Sequence, residues 1–329
     1  MGRCTQNPTW MEEWLLRLHP ETVRTAGGSD TVLIIGSARR LRRRVSRRCG
    51  RRRGAGRGAR EFGGRVTLER KLPGLSAWGR VADYRLYQLG QRPNAQLYRG
   101  SPLDAEAVLS FGFQHVCIAT GSTWRRDGVA RQHVVPPFID PAMAVLTPDD
   151  MMAGAVPTGE VVVFDDDHYY MGGVLAELAA RAGCSVTFVT PSAYVSDWTL
   201  NTLEQAAIHR RLAALGVRIV LNTGMSAITA EGLRGACVYT GAERRFECDT
   251  VIMVASRVAN DGLLHALRDR QDDWADAGLR SVSVIGDAAA PAPIAWATFA
   301  GHRYAQELDM PDRGDGLSFR REVTALAPR

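Results

Sequence analysis

Residues 31–36 read Thr31-Val32-Leu33-Ile34-Ile35-Gly36, an aliphatic run closed by a glycine. Such a run predicts a strand buried on both faces, as in a parallel sheet, which delivers its glycine to a phosphate-binding turn. A helix should follow, with its first N–H groups turned toward the phosphates. The chain instead continues Ser37-Ala38-Arg39-Arg40-Leu41 and stays arginine-rich as far as Arg60. That stretch has no amphipathic period and lacks the later glycines of a G-x-G-x-x-G fingerprint.

Twelve arginines and no acid lie within residues 39–60. The whole chain carries a net charge of +6, but outside this window Lys plus Arg falls from 41 to 29 against 35 acids, so the body is acidic. A basic tract on an acidic body has the form of a nucleic-acid patch. Lys71 is the one lysine of the chain, however. Such arginine usage points to a GC-rich gene, in which out-of-frame sequence reads as Arg, Gly and Ala. A local frameshift over 37–60 therefore fits better than a basic loop or a nucleic-acid arm. Periodic sequence resumes at Glu61. Gly54, Gly56 and Gly58 imitate a phosphate loop but follow no strand, and composition accounts for them.

At 329 residues the chain is long enough for two domains, and 45% hydrophobic content suits an α/β protein. No apolar run is long enough to span a bilayer, and no signal-peptide pattern opens the chain. Six cysteines without close pairing read as reduced thiols, and a cytoplasmic location is expected.

The expected order of elements continues with a loop over 63–77, a helix over 80–90, a strand over 95–98, a helix over 104–111 and a buried strand over 115–120. A second unit opens at Gly159 with strand 160–165, helix 172–183 and strand 185–190. Helix 202–215, strand 217–221, a hairpin of 235–240 with 245–248, and strand 250–255 follow. The strand over 281–287 ends in Gly286-Asp287, and a helix covers 294–308. Linkers are placed near 140–158 and 255–260. This layout implies two doubly wound units, the second inserted into the first.

The run Asp165-Asp166-Asp167-His168-Tyr169-Tyr170-Met171-Gly172-Gly173 stands where the second unit's phosphate turn belongs. Three carboxylates repel a pyrophosphate. Successive side chains at a strand end diverge, so a structural or interdomain turn is favoured, ahead of a degenerate nucleotide site and of a metal site. Asp287 reads either as an acceptor for a ribose or ribityl hydroxyl or as a turn cap. No Ser/His/Asp nucleophile pattern and no Walker A motif is present.

Several motifs carry a family resemblance: Cys4-Thr5-Gln6-Asn7-Pro8-Thr9, Trp14, His19-Pro20-Glu21, LPGLSAWGRVADYR from Leu72, IATGSTWRRDG from Ile118, LTPDDMMAG from Leu146, DDDHYYMGGVLAEL from Asp165 and GDAAAPAPIAWATFAGHR from Gly286. Together they resemble the C-terminal part of the trimethylamine, dimethylamine and histamine dehydrogenases. These are old-yellow-enzyme-like oxidoreductases related to 2,4-dienoyl-CoA reductase. The resemblance covers nearly the whole chain except 37–60.

The resemblance implies an FAD- or ADP-binding Rossmann-like domain over 29–145 and 256–329, and an NAD(P)-binding-like domain over 157–255. Residues 1–28 become a remnant of an iron–sulfur segment and linker. The family's FMN-holding TIM barrel and three further 4Fe-4S cysteines would lie upstream, so Cys4 matches a single cluster ligand that is not expected to bind metal alone. Gly36 matches the first fingerprint glycine. Gly63 and Gly64, followed by Arg65, match the glycine pair after the second strand. Thr120-Gly121 closes a strand, and Gly286-Asp287 matches the family's terminal Gly-Asp. Ala292 stands where the family commonly has arginine, which weakens a nucleotide site. Nearly preserved spacing from Gly36 to Gly63 fits a compensated frameshift.

The expected function is that of a truncated amine dehydrogenase-type oxidoreductase, without amine oxidation by this chain alone. A separately encoded barrel or an electron-transfer flavoprotein is the expected partner, and the oligomeric state stays open. The alternatives are a stand-alone FAD-dependent NAD(P)H reductase and a non-catalytic interaction module.

Overall fold

The computed structural model describes residues 30–36, the backbone of 54–58 and residues 62–308, together with Cys4, Thr5, Asn7 and Trp10. Residues 37–53 of the arginine-rich tract, most of the 1–28 lead-in and the tail after residue 308 lie outside the described residues.

Strand β1, Val32–Gly36, is parallel to its neighbours on both sides, and Val32 and Leu33 are fully buried. Its neighbour β2, Gly54–Gly58, comes from the arginine-rich tract and fills the place of a second strand in a βαβ unit. The glycines read as a mere composition effect thus have a defined backbone role. Helix α1, Arg65–Glu69, and a 3₁₀ turn, Ser76–Gly79, occupy part of the segment read as a loop over 63–77. The reason is local. Gly63 and Gly64 take positive φ of 134° and 51°, and Thr67 Oγ1 donates to the Gly64 carbonyl at 2.7 Å. Val66, Leu72 and Leu75 then bury.

Helix α2, Arg80–Gly90, leads to β3, Ala95–Arg99, which pairs with β2. Helix α3, Ala105–Ser110, starts at Asp104, whose carboxylate accepts from the Ala107 N–H at 2.8 Å. Strand β4, His115–Ala119, returns beside β1, and β5, Ser122–Trp124, leaves this sheet.

Next come β6, Phe138–Ile139, β7, Ala144–Leu146, and helix α4, Pro148–Ala153. The stretch read as a linker over 140–158 therefore carries an edge strand and a capped helix. Thr147 and Asp150 form a reciprocal capping box, and Gly154 ends the helix at φ 106°. Strand β8, Glu160–Asp165, helix α5, Tyr170–Arg181, and strand β9, Ser185–Val189, form a parallel βαβ unit. A 3₁₀ turn, Asp197–Thr202, and helix α6, Gln205–Ala214, lead to β10, Arg218–Val220. Strands β11, Thr223–Thr229, β12, Gly232–Cys237, and β13, Glu243–Glu247, form an antiparallel meander, one strand longer than the expected hairpin. Strand β14, Thr250–Val254, is buried throughout and completes a parallel sheet of order β10-β9-β8-β14-β7.

The chain returns through β15, Arg257–Ala259, antiparallel to β5 with Arg257 opposite Trp124. The expected linker at 255–260 is thus half of a two-stranded ribbon. Helix α7, Gly262–Arg268, precedes β16, Ser281–Val284, and helix α8, Ile294–Glu307, closes the described chain. The first sheet has the order β16-β4-β1-β2-β3. The whole is an α/β fold without a closed barrel among the described residues. No helix among them is long and apolar enough to cross a membrane.

Candidate functional site

In the first sheet the chain moves from β1 to β2 and β3 on one side, while β4 and β16 lie on the other. The carboxyl ends of β1 and β4 therefore mark a switch point, where open α/β sheets bind ligands. Gly36 sits there at φ 108°, and a Cβ on it would lie 2.4 Å from the Ala119 carbonyl oxygen. Only glycine fits this close approach of two strand ends. Thr120 donates its hydroxyl proton to the Asn260 carbonyl. Gly121 takes φ 88° and accepts from the Asn260 N–H at 2.9 Å. Gly286 takes φ 62°, and Asp287 follows in a short 3₁₀ turn.

Asp287 is heavily engaged. Arg257 Nη1 lies 2.7 Å from its Oδ2 and Arg65 Nη2 lies 3.2 Å from the same oxygen. Ser122 Oγ also donates to Oδ2 at 3.1 Å, and the Ala292 N–H donates to Oδ1 at 3.2 Å. Arg65 in turn meets the fully buried Glu69 at 2.6 Å. Burial works against the Arg65 charge, but Glu69, Tyr170 and Asp287 outweigh it and raise its pKa. Arg257 is pushed the other way, by burial first and then by the neighbouring Arg65. Its guanidinium lies 5.4 Å from the centre of the Trp124 ring.

A cavity of about 120 Å³ opens beside this cluster. Arg65, Arg131, Arg257 and Asp167 line it with the rings of Trp124 and Trp198. Burial raises the Asp167 pKa, opposed by Arg257, Arg131 and Arg65.

The three consecutive carboxylates separate, as the strand-end argument requires. Asp165 is fully buried beneath α5, where a Cβ on Gly172 would lie 2.6 Å from its carboxyl carbon. Burial, then the nearby Asp167, raises the Asp165 pKa to about 7. Asp166 accepts from the Gln132 N–H at 2.8 Å and lies 3.3 Å from His168 Nε2. Asp167 turns to the cavity. Among the described residues no group of His, Cys, Asp and Glu could hold a metal ion. Cys4 Sγ accepts from the Asn7 N–H at 3.4 Å.

These features have counterparts in known proteins. Residues 146–254 match the family model described as the OYE-like second alpha/beta domain. A dimethylamine dehydrogenase from Hyphomicrobium sp. (strain x) is 34% identical over 98% of this chain and 47% of its own length. The histamine dehydrogenase structure from Rhizobium sp. 4-9 superposes with a TM-score of 0.93 at 59% identity, over 99% of this chain and 51% of that one. This chain matches the C-terminal half of dimethylamine and histamine dehydrogenase-family enzymes. A 6-hydroxypseudooxynicotine amine oxidase from Pseudomonas geniculata N1 is also similar, with 38% identity and a TM-score of 0.87 over 93% of this chain and 46% of that one. The chain thus spans about half the length of the family members it matches.

Of the residues singled out in the sequence, Gly36, Thr120, Gly121, Gly286 and Asp287 gather at the carboxyl ends of β1, β4 and β16. Gly63 and Gly64 lead into α1, and Arg65 reaches Asp287 rather than standing alone as a ligand contact. Cys4 lies apart in the N-terminal segment. Sequence reasoning missed Glu69, Trp124, Arg131 and Arg257. The i,i+4 spacing of Arg65 and Glu69 was the available signal for one of them. Arg257 lay hidden in a presumed linker.

Proposed function

We propose that this chain is the nucleotide-binding half of an amine dehydrogenase-type oxidoreductase, and that its first sheet holds ADP rather than FAD. In this reading 29–145 and 256–329 form the ADP-binding Rossmann-like domain, and 157–255 form an inserted NAD(P)-binding-like domain. The family's flavin and iron–sulfur chemistry belongs to a part of the enzyme not matched by this chain. Electrons from amine oxidation would pass to a separate flavoprotein.

The observation that carries the choice of ADP is the engagement of Asp287. A ribityl hydroxyl would have to share Asp287, whose Oδ2 already meets three donors and whose Oδ1 keeps one lone pair beside the Ala292 N–H. Arg65, Arg257, Ser122 and the Ala292 N–H already converge there. The space beyond is a cavity lined by Arg65, Arg131, Arg257 and Asp167, a charged lining that suits an anionic group better than the apolar face of a flavin ring. The strand ends fit the adenosine diphosphate part. Gly36, Gly121 and Gly286 hold backbone conformations without side chains there, as close approach of a pyrophosphate requires.

The test is to denature the purified protein and identify released nucleotides by chromatography and mass spectrometry. ADP near one per chain, with no visible flavin absorbance, is expected. Released FAD would replace this reading with a stand-alone flavin reductase. No nucleotide, and no binding of added ADP, would leave an interaction module.

A further inference from the structure

The cavity beside Asp287 collects hydrogen-bond donors from several parts of the chain. Trp124 lines it, is only 6% exposed, and its indole Nε1–H meets no acceptor among the described residues. A buried N–H left in that state costs stability unless a ligand or water accepts from it. Arg131 is held by the face of Trp198, 4.6 Å from its guanidinium, and not by an ion pair among the described residues. Arg65 and Arg257 close the inner wall, with Glu69 and Asp287 paired behind them. Tyr170 and Ile294, the first residues of α5 and α8, also line the cavity. Neither helix has a side-chain cap, so first-turn N–H groups add positive potential. Asp167 is the one carboxylate of the lining.

We propose that this cavity is a phosphate-class oxyanion site, which binds free inorganic phosphate or the terminal phosphate of a nucleoside diphosphate. The volume admits such a group. Three guanidinium groups and the Trp124 N–H supply donors to the anionic oxygens. Asp167 supplies the discrimination. For the free ion its carboxylate accepts from the O–H that hydrogen phosphate keeps at pH 8, whereas sulfate, like a fully ionised terminal phosphate, has no such proton. Phosphate is therefore preferred over sulfate. Only the diphosphate source rests on the function proposed above.

The test is calorimetric titration of the full chain at pH 8 and fixed ionic strength with phosphate, sulfate, AMP and ADP. Saturable phosphate binding is expected, with weaker sulfate binding. Arg131→Gln removes an exposed side chain and should weaken phosphate binding about tenfold, as loss of a charge-assisted hydrogen bond implies. Asp167→Asn should bind phosphate and sulfate alike. If Arg131→Gln weakens ADP binding but not AMP binding, the terminal phosphate occupies the site. If ADP-saturated protein still binds phosphate, the free ion does. Phosphate affinity unchanged in Arg131→Gln would overturn the proposal, as would no phosphate binding together with equal affinity for AMP and ADP. Phosphate binding without any binding of AMP or ADP would sink the nucleotide reading and leave this one standing.

Discussion

Arg257 reaches Asp287 across the join between the two parallel sheets, its Nη1 2.7 Å from Asp287 Oδ2. Arg257 belongs to the returning strand of the connecting ribbon, and Asp287 to the Gly-Asp turn of the first sheet. The side chains are only 11% and 16% exposed. Their pairing therefore couples the orientation of the ribbon to the geometry of the candidate nucleotide site.

Removing one partner leaves a buried charge uncompensated. Asp287→Ala, which strands Arg257 and leaves Arg65 to Glu69 alone, should cost about 3–5 kcal/mol in urea unfolding. The double variant Arg257→Ala/Asp287→Ala should be less destabilised than the sum of the single changes by more than about 1 kcal/mol. Strict additivity would show that the pair does not act as a unit.

Gly36 tests the strand-end geometry. Alanine there must adopt φ 108° and place its Cβ 2.4 Å from the Ala119 carbonyl oxygen. Backbone strain of this kind costs about 1–3 kcal/mol before any steric shift is added. Gly36→Ala should lower the urea midpoint by at least that equivalent. A midpoint equal to wild type would mean that β1 and β4 separate easily at this edge.

Helix α4 gives a local control. Thr147 caps it by accepting from the Asp150 N–H, and Asp150 answers by accepting from the Thr147 N–H at 2.6 Å. Thr147→Ala should cost about 1 kcal/mol, and Thr147→Ser should restore most of it. Equal loss in both variants would assign the effect to the buried methyl group and not to the cap.

Much of this architecture was legible because the decisive strands are aliphatic and short. Val32–Gly36, His115–Ala119, Glu160–Asp165 and Thr250–Val254 each announce burial on both faces. The segment after Gly64 was not legible as helix, since five residues carry too little periodicity to outweigh Pro73, Gly74 and the flanking glycines. Thr147-Pro148-Asp149-Asp150 did hold a start signal, a capping residue followed by proline. At the site, strand-end glycines and Asp287 stood out from local sequence. Its pairing with Arg65, itself singled out beside Gly63 and Gly64, and with Ser122 did not, because both lie more than half the chain away in sequence.

The buried Asp165 sets a pH dependence of unusual sign for a carboxylate. Its pKa is raised from the ordinary carboxylate value of 3.8 to about 7 in the folded protein, chiefly by burial. Between those values the native state keeps a proton that the unfolded chain releases. Its contribution to stability is therefore full below the unfolded pKa and is lost as pH rises through about 7. Asp167 and His168, whose pKa values are also raised, act in the same direction. Urea midpoints should fall from pH 5 to pH 8. Asp165→Asn keeps an oxygen to accept from the His168 N–H, a bond of 3.1 Å in the native protein, but cannot ionise. Its midpoint should fall distinctly less over the same range. A wild-type midpoint that rises with pH, or an Asp165→Asn profile parallel to wild type, would show that Asp165 is already ionised at pH 5 in the folded chain.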